Sequence, residues 1–194
     1  IGVYSPDGGY IGRDRQAIAA AYAYGDGKET SCLNTAEAVS RLFYNLPVKT
    51  YASLRMQGIR EINDAVGGVD VVSPETIAPF VKGESYHLMG ETARKFVQLR
   101  SKDRDDANLL RNERQKTYFS AFLKKLIAQT KEDISVPVDL YNISKPYSAT
   151  NLNAERITYL ATEFVLKRSM KLAYSSVPVD VTPAGDYVEN AVKE

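Results

Sequence analysis

The chain has 194 residues, of which 44% are hydrophobic and 25% are charged, and its formal net charge is +1. This composition is typical of a globular domain with one substantial core and excludes a chain that is disordered throughout. The near-zero net charge indicates no general binding to nucleic acid, so any attraction to an anion must come from a local cluster of basic residues.

Two residue types limit the possible chemistry. The single cysteine, Cys32, excludes an intramolecular disulfide framework and a CxxC metal site. The single histidine, His87, excludes a multi-histidine metal site, and its alternating neighbours favour a place on the surface of a strand.

No apolar run approaches the roughly 20 residues that cross a membrane. The chain also starts without Met, so a missing signal peptide carries little information.

The first third of the chain predicts a strand and two helices. A short strand at residues 1–5 precedes an alanine-rich helix over 15–24, which Gly25 closes. A second helix is predicted for 35–44, with Asn34 as its N-cap and Glu37 three residues later.

The middle of the chain has a strand, helix and strand in succession. Strands are predicted at 48–54 and 69–72, and the helix at 57–66 ends in the Gly67-Gly68 turn. This order is typical of an α/β fold, and we expect a central mixed β-sheet flanked by helices on both faces in three layers.

The remaining elements follow the same pattern as far as residue 172. The sequence predicts a strand at 85–88, a helix at 91–98, a charged loop at 100–106, the longest helix at 108–129, a strand at 136–141 and a final helix at 153–172. No internal repeat or linker is visible, so residues 1–175 are predicted to form one domain and 176–194 a loose tail.

The start of the longest predicted helix carries the most specific chemical signal. Arg111, Arg114 and Gln115 lie three and four residues apart, so they share one face of the helix. That face continues into the predicted core, and a buried arginine needs an anionic partner. The helix N-terminus and the planar guanidinium group both favour phosphate oxygens. A phosphate or pyrophosphate site is one interpretation of this cluster.

The aspartates just before this helix leave two alternatives open. Asp103, Asp105 or Asp106 could fold back and neutralise the arginines as a purely structural network. Carboxylates of this kind could also hold Mg²⁺ together with phosphate oxygens, although such a loop is more often simply solvated. The serines lack a G-x-S-x-G motif, which argues against serine hydrolase chemistry.

Four segments in order resemble the LytR-CpsA-Psr family. Residues 20–27 (AAYAYGDG) resemble the family's AYAYGG helix end, and residues 51–71 resemble its block Y-x-x-I-x-M-x-G-F-x-x-I-V-D-A-L-G-G-V-x-V. Residues 88–100 resemble L-x-G-x-x-A-L-x-y-v-R-x-R, and residues 108–115 resemble D-x-x-R-x-x-R-Q. The resemblance covers about residues 15–128.

The resemblance implies a phosphotransferase on the extracellular face of the bacterial cell membrane. Members of the family move a phosphate-linked glycopolymer, such as teichoic acid or capsule, from a polyprenyl-pyrophosphate carrier to peptidoglycan, typically with Mg²⁺. Their membrane anchor would lie in a segment outside this chain, and no nucleic-acid partner is implied. The catalytic residues expected here are Arg100, Arg111 and Arg114, with Gln115 and Lys102 as further contacts to the substrate.

The sequence also departs from the family pattern. Lys102 replaces the second arginine of R-x-R and loses the bidentate fork, and Asn108 replaces the aspartate of D-x-x-R. The family's upstream aspartates and P-R-D motif would precede residue 1, so Asp105 and Asp106 are the metal candidates within the chain. We therefore expect this chain to be inactive on its own. The alternative is a non-catalytic module that binds polyprenyl phosphate or an anionic wall polymer.

Overall fold

The computed structural model describes residues 2–4, 10–13, 18–101 and 106–166. The described residues belong to two compact units, divided between residues 52 and 53. The predicted domain bounds of 1–175 and 176–194 stay a prediction, and the tail lies outside the described residues.

The first unit contains a β-hairpin and two helices. Strands β1 (Gly2–Tyr4) and β2 (Tyr10–Arg13) pair in antiparallel fashion. Helix α1 (Ala20–Ala23) packs against helix α2 (Glu29–Leu42). The predicted strand at 1–5 is confirmed over the residues of β1, and the start of the predicted helix at 15–24 lies outside the described residues.

Helix α2 begins six residues earlier than the sequence predicted. One oxygen of the Asp26 carboxylate accepts hydrogen bonds from the backbone N–H groups of Lys28 (2.7 Å) and Ser31 (3.3 Å). Free N–H groups at the first turn are thereby satisfied before the predicted cap is reached. The prediction that Asn34 is the N-cap was wrong, because Asn34 lies inside the helix. Glu37 instead accepts from Arg41, one turn further on.

The second unit carries most of the elements, and its first strand begins at Ala52, at the division between the units. In chain order they are β3 (Ala52–Leu54), α3 (Met56–Ala65), β4 (Val69–Val72), β5 (Ser85–Leu88), α4 (Gly90–Gln98), α5 (Ala107–Glu132), α6 (Val136–Ser144), a 3-10 turn (Lys145–Tyr147), β6 (Ser148–Thr150) and α7 (Ala154–Leu166). Strand β3 pairs with β6, and β4 pairs with β5 in antiparallel fashion.

The predicted α/β class, with sheets flanked by helices, is confirmed. Among the described residues the strands are arranged as three two-stranded sheets. The predicted strand at 48–54 is observed only over Ala52–Leu54, and β6 was not predicted. Helices α3, α4 and α5 and strands β4 and β5 lie within two or three residues of their predicted bounds.

The hydrophobic core of the second unit lies between the β4–β5 pair and helices α3 to α6. Phe80 and Phe96 are fully buried, and their rings meet edge to face with centroids 5.0 Å apart. The buried core comprises Val66, Val69, Val71, Phe80, Leu88, Ala93, Phe96, Val97, Tyr118, Phe122 and Leu140. Two residues of α5 belong to this core, so the long helix is anchored against the sheet.

The segment predicted as a strand at 136–141 is a helix, so that prediction was wrong. Pro137 lies in the first turn of α6, where its fixed φ angle favours the helix and its missing N–H costs nothing. The Asp133 carboxylate accepts from the backbone N–H of Ser135, just ahead of the helix. Leu140 is buried in the core, and this packing outweighs the strand preference of the valines.

The turn after α3 depends on two glycines with positive φ angles. The φ angles are +73° at Gly67 and +70° at Gly68. A Cβ atom on Gly68 would lie 2.4 Å from the Sδ atom of Met89 and 2.7 Å from the carbonyl oxygen of Leu88. Gly68 is therefore required both for its backbone conformation and for the close approach of β5.

We expect Gly68→Ala to destabilise the protein more than Gly83→Ala does. Gly83 also has a positive φ angle (+84°), but a Cβ atom there would meet nothing within 4 Å. Gly83→Ala should therefore cost about 1–2 kcal/mol of backbone strain, and Gly68→Ala roughly 1–3 kcal/mol more from overpacking. Urea unfolding of both variants measures the difference. Equal losses of unfolding free energy in the two variants would show that the neighbouring atoms move away from a Cβ atom at Gly68 without cost.

Candidate functional site

The candidate site lies where α4 ends and α5 begins. Helix α4 ends at Gln98 and α5 begins at Ala107, so Arg100 lies two residues after α4 and Arg111 lies in the second turn of α5. Two of the predicted site residues, Lys102 and Asp105, lie outside the described residues. Arg111, Arg114 and Gln115 are on α5, as the sequence predicted.

Arg114 is fully buried, and its side chain is bound within the protein. Its Nε atom donates to the Oε1 atom of Glu75 at 2.6 Å, and its Nη1 atom donates to the carbonyl of Phe96 at 2.6 Å. Its Nη2 atom donates to the carbonyl of Leu99. The Glu75 side chain is only 7% exposed, so the two charges form a buried ion pair. This pairing removes the large cost of an isolated buried charge.

Glu75 is the residue that sequence reasoning missed. Asp103, Asp105 and Asp106 were weighed as neutralising partners of the arginines, but Arg114 pairs with Glu75. Glu75 follows β4 and precedes Arg114 by 39 positions. No local pattern marks such a distant partner. The only signal in the sequence was the general need of an inward-facing arginine for an anion.

Gln115 supports the same helix end as Arg114. Its Nε2 atom donates to the carbonyl of Val97 at 3.1 Å. The last carbonyls of a helix have no partner within the helix and carry partial negative charge. Arg114 and Gln115 supply donors to three carbonyls at the end of α4. Whether either side chain also contacts a substrate stays a prediction.

Arg111 differs from Arg114 in having an unused donor. Its Nε atom is buried and makes no hydrogen bond with the residues that the structure describes. An unsatisfied buried donor is unfavourable by about 1–3 kcal/mol, and more when it is charged. Arg100 is exposed, two residues after the end of α4. Arg100 and Arg111 are therefore the two predicted arginines whose surroundings best suit an anionic ligand.

The described residues do not assemble a metal site. In residues 18–101 and 106–166, no group of three or more His, Cys, Asp or Glu side chains is placed to hold a metal ion. Asp106 is exposed at the start of α5, and Asp105 lies outside the described residues. The Mg²⁺ prediction therefore gains no support from the described part of the chain.

His87 lies on the strand surface, as predicted. Its Nδ1 atom is 2.7 Å from the Oδ1 atom of Asp70 on the neighbouring strand, and its side chain is 52% exposed. An exposed pair of this kind contributes little to stability. His87 has no contact with the arginine cluster among the interactions described here.

One turn after Gln115, a buried polar network joins α5 to α3. The hydroxyl of Tyr118 donates to the Oδ1 atom of Asn63 at 3.1 Å, and the Nδ2 atom of Asn63 donates to the carbonyl of Leu88 at 3.0 Å. Burial, with a smaller contribution from the Asp64 carboxylate, raises the pKa of Tyr118 well above its usual value. The network fixes the rotation of α5 about its axis and thus the direction of the arginines.

Comparison with known proteins settles the family. The sequence profile of the LytR_cpsA_psr family matches residues 4–193. The chain belongs to this family. The resemblance inferred from four motifs is thereby confirmed, and it extends over nearly the whole chain.

The relatives of this LytR_cpsA_psr chain include named transferases. The protein named polyisoprenyl-teichoic acid–peptidoglycan teichoic acid transferase TagU in Bacillus mycoides strain KBAB4 is 28% identical over 186 residues, covering 90% of this chain and 57% of that protein. Its namesake in Bacillus anthracis strain CDC 684 / NRRL 3495 is 34% identical over 110 residues, covering 54% of this chain and 33% of that protein. The chain thus spans at most about six tenths of these two relatives.

A solved structure shows the same fold. The crystal structure of TagV from B. subtilis is 22% identical, has a TM-score of 0.55, and matches 82% of this chain and 59% of that chain. At this identity the likeness concerns the fold alone. In the described part of the chain, no helix combines the length and apolar character needed to cross a membrane.

We expect Tyr118→Phe to change how stability depends on pH. The unfolded tyrosine ionises near pH 10, whereas the folded one keeps its proton to higher pH. The contribution of Tyr118 is therefore complete below pH 10 and is lost as the pH rises through the raised pKa. Between pH 10 and 12 the wild type should lose up to about 1.4 kcal/mol per pH unit more than Tyr118→Phe.

Urea unfolding at several pH values measures this effect. At neutral pH the variant should also be less stable by about 1–3 kcal/mol, because the Oδ1 atom of Asn63 loses its donor. Tyr159→Phe is the matched control, since its side chain is 65% exposed and it should follow the wild type. Identical pH profiles for Tyr118→Phe and the wild type would contradict the buried hydroxyl contact.

Proposed function

We propose that this chain forms part of a phosphotransferase that moves a phosphate-linked glycopolymer from a polyprenyl-pyrophosphate carrier to peptidoglycan. Membership of the LytR_cpsA_psr family and the names of the TagU relatives support a role in transferring cell-wall glycopolymer. The observation that carries the phosphate site is the buried, unpartnered Nε atom of Arg111 at the start of α5. A phosphate oxygen would supply the missing acceptor.

Arg111 and Arg100 are the residues best placed to bind the pyrophosphate group. Arg111 lies in the second turn of α5, where the helix dipole also favours an anion. Arg100 is exposed just after the end of α4. Lys102 lies two residues further on and would add a third positive charge. Gln115 remains a proposed contact through the part of its amide that does not bind Val97.

The proposed reaction is a displacement at phosphorus. A hydroxyl group of the peptidoglycan acceptor attacks the phosphorus atom that bears the polymer. The bond from that phosphorus to the bridging oxygen breaks, polyprenyl phosphate leaves with the electron pair, and the proton of the hydroxyl passes to the leaving phosphate through water. Arg111 and Arg100 would stabilise the negative charge on the phosphoryl and leaving-group oxygens. No step is assigned to Mg²⁺, because the described residues do not form its site.

The proposed location follows from the proposed substrates. A polyprenyl carrier resides in the membrane and peptidoglycan lies outside it, so we place the site at the extracellular face of a bacterial membrane. None of the described helices is long and apolar enough to span a membrane. In this proposal a membrane anchor would come from another segment.

We expect Arg111→Gln to weaken binding of farnesyl pyrophosphate, a short polyprenyl pyrophosphate, by about tenfold or more. A hydrogen bond to a charged group is worth about 1.5–3 kcal/mol, which corresponds to at least a tenfold change in affinity. Isothermal titration gives the dissociation constant. Arg156→Gln on α7 is the matched control, since it removes the same charge from an exposed position on another helix.

Thermal unfolding separates a binding role from a structural one. The Nε atom of Arg111 has no described protein partner, so its loss should leave the melting temperature unchanged or raise it. A lower melting temperature with unchanged affinity would overturn the proposed contact. Release of polyprenyl phosphate from a lipid-linked polymer by a longer protein that includes this chain, followed by mass spectrometry, then distinguishes a transferase from a module that only binds.

A further inference from the structure

The buried Glu75–Arg114 pair connects three parts of the second unit. Glu75 belongs to the segment after β4, Arg114 to α5, and the carbonyls of Phe96 and Leu99 to the end of α4. Each of the three side-chain nitrogens of Arg114 therefore has an acceptor within the protein. Because the side chain is fully buried, a direct bond from either remaining Nη hydrogen to a phosphate would require Arg114 or the residues that cover it to move.

The segment that carries Glu75 is itself held firmly. The hydroxyl of Ser73 donates to the carbonyl of Glu75 at 2.7 Å. The backbone N–H of Ser73 donates to the carbonyl of Glu84 at 2.9 Å, and that of Gly83 donates to the carbonyl of Ser73 at 2.8 Å. Ser73 and Glu75 are both buried. The carboxylate is therefore a fixed point against which the guanidinium group of Arg114 is oriented.

The orientation of Arg114 bears directly on the residues proposed to bind phosphate. Leu99, whose carbonyl Arg114 binds, immediately precedes Arg100. Arg111 lies three residues before Arg114 on the same helix, so any movement of α5 that displaces Arg114 also displaces Arg111. One buried side chain thus helps to fix the backbone at Arg100, which is exposed, and at Arg111, whose Nε atom has no described partner.

We propose that Glu75 and Arg114 are positioning residues that hold Arg100 and Arg111 in place for pyrophosphate, and that Arg114 does not contact the ligand. This inference rests on the proposed function. It replaces the expected phosphate contact of Arg114 with an action through the backbone of the α4–α5 junction. Glu75→Gln tests it with a small change, because the amide keeps the shape of the carboxylate and removes its charge.

The first measurement needs no ligand. Amide hydrogen exchange followed by NMR should show faster exchange at Leu99, Arg100 and Ser101 in Glu75→Gln than in the wild type. Leu140→Ala is the control, since it truncates a buried core residue on α6 and should destabilise the unit without this local effect. Equal exchange at the junction in Glu75→Gln and the control would overturn the inference.

The second measurement is the affinity for farnesyl pyrophosphate. Glu75→Gln should bind it about tenfold more weakly, as happens when orienting partners are removed around metal ligands. Leu140→Ala should bind with the wild-type constant at a temperature where all variants are folded. Unchanged affinity in Glu75→Gln would overturn the inference even if the junction exchanges faster.

The third measurement separates positioning from contact. In NMR spectra of arginine side chains, the Nε resonance of Arg111 should shift when farnesyl pyrophosphate is added to the wild type, whereas that of Arg114 should not. A ligand-induced shift at Arg114 larger than that at Arg111 would overturn the inference. Absence of any binding by the wild type would instead remove the proposed function, and the exchange comparison would then decide whether Glu75 and Arg114 hold the junction.

Discussion

The burial of one guanidinium group is the constraint on which the second unit depends. Arg114 is fully buried in a helix that faces a hydrophobic core, so its charge must be matched by Glu75 and its donors by carbonyl oxygens. Those acceptors lie on segments that are far apart in the chain. Satisfying one side chain therefore fixes the relative positions of the segment after β4, the end of α4 and the start of α5.

Helix α5 also supplies donors to carbonyls at the end of a second helix, α3. Near its far end, the Nζ atom of Lys125 donates to the carbonyls of Gly67 and Gly68 at 2.7 and 2.6 Å, and the Nε2 atom of Gln129 donates to the carbonyl of Val66 at 3.0 Å. These carbonyls lie at the end of α3 and in the turn that follows it. Both ends of α5 thus supply donors to the C-terminal carbonyls of other helices, while Tyr118 lies in the core between them.

Local sequence patterns predicted much of the fold and less of the site. The amphipathic spacing of α3, α4 and α5 and the alternation of β4 and β5 are properties of short segments, so their bounds were predicted closely. Helix α6 was predicted as a strand because its valines favour strands, whereas the core contact of Leu140, together with Pro137 in the first turn, favours the helix. The sequence placed Arg111 and Arg114 on one face, but it could not show that Glu75 neutralises only one of them.

The donor side chains near the start of α5 (Arg114 and Gln115) and those near its end (Lys125 and Gln129) lie a fixed distance apart along the helix axis. Arg114 and Lys125 are about three helical turns apart, or roughly 16 Å. The carbonyls at the ends of α4 and α3 therefore bind side chains that leave α5 at points this far apart, whatever residues occupy the exposed positions between. Insertion or deletion of one residue in this stretch would rotate one set of donors by about 100° relative to the other. Descendants of this sequence are therefore free to vary the outward face of α5 but must conserve its length.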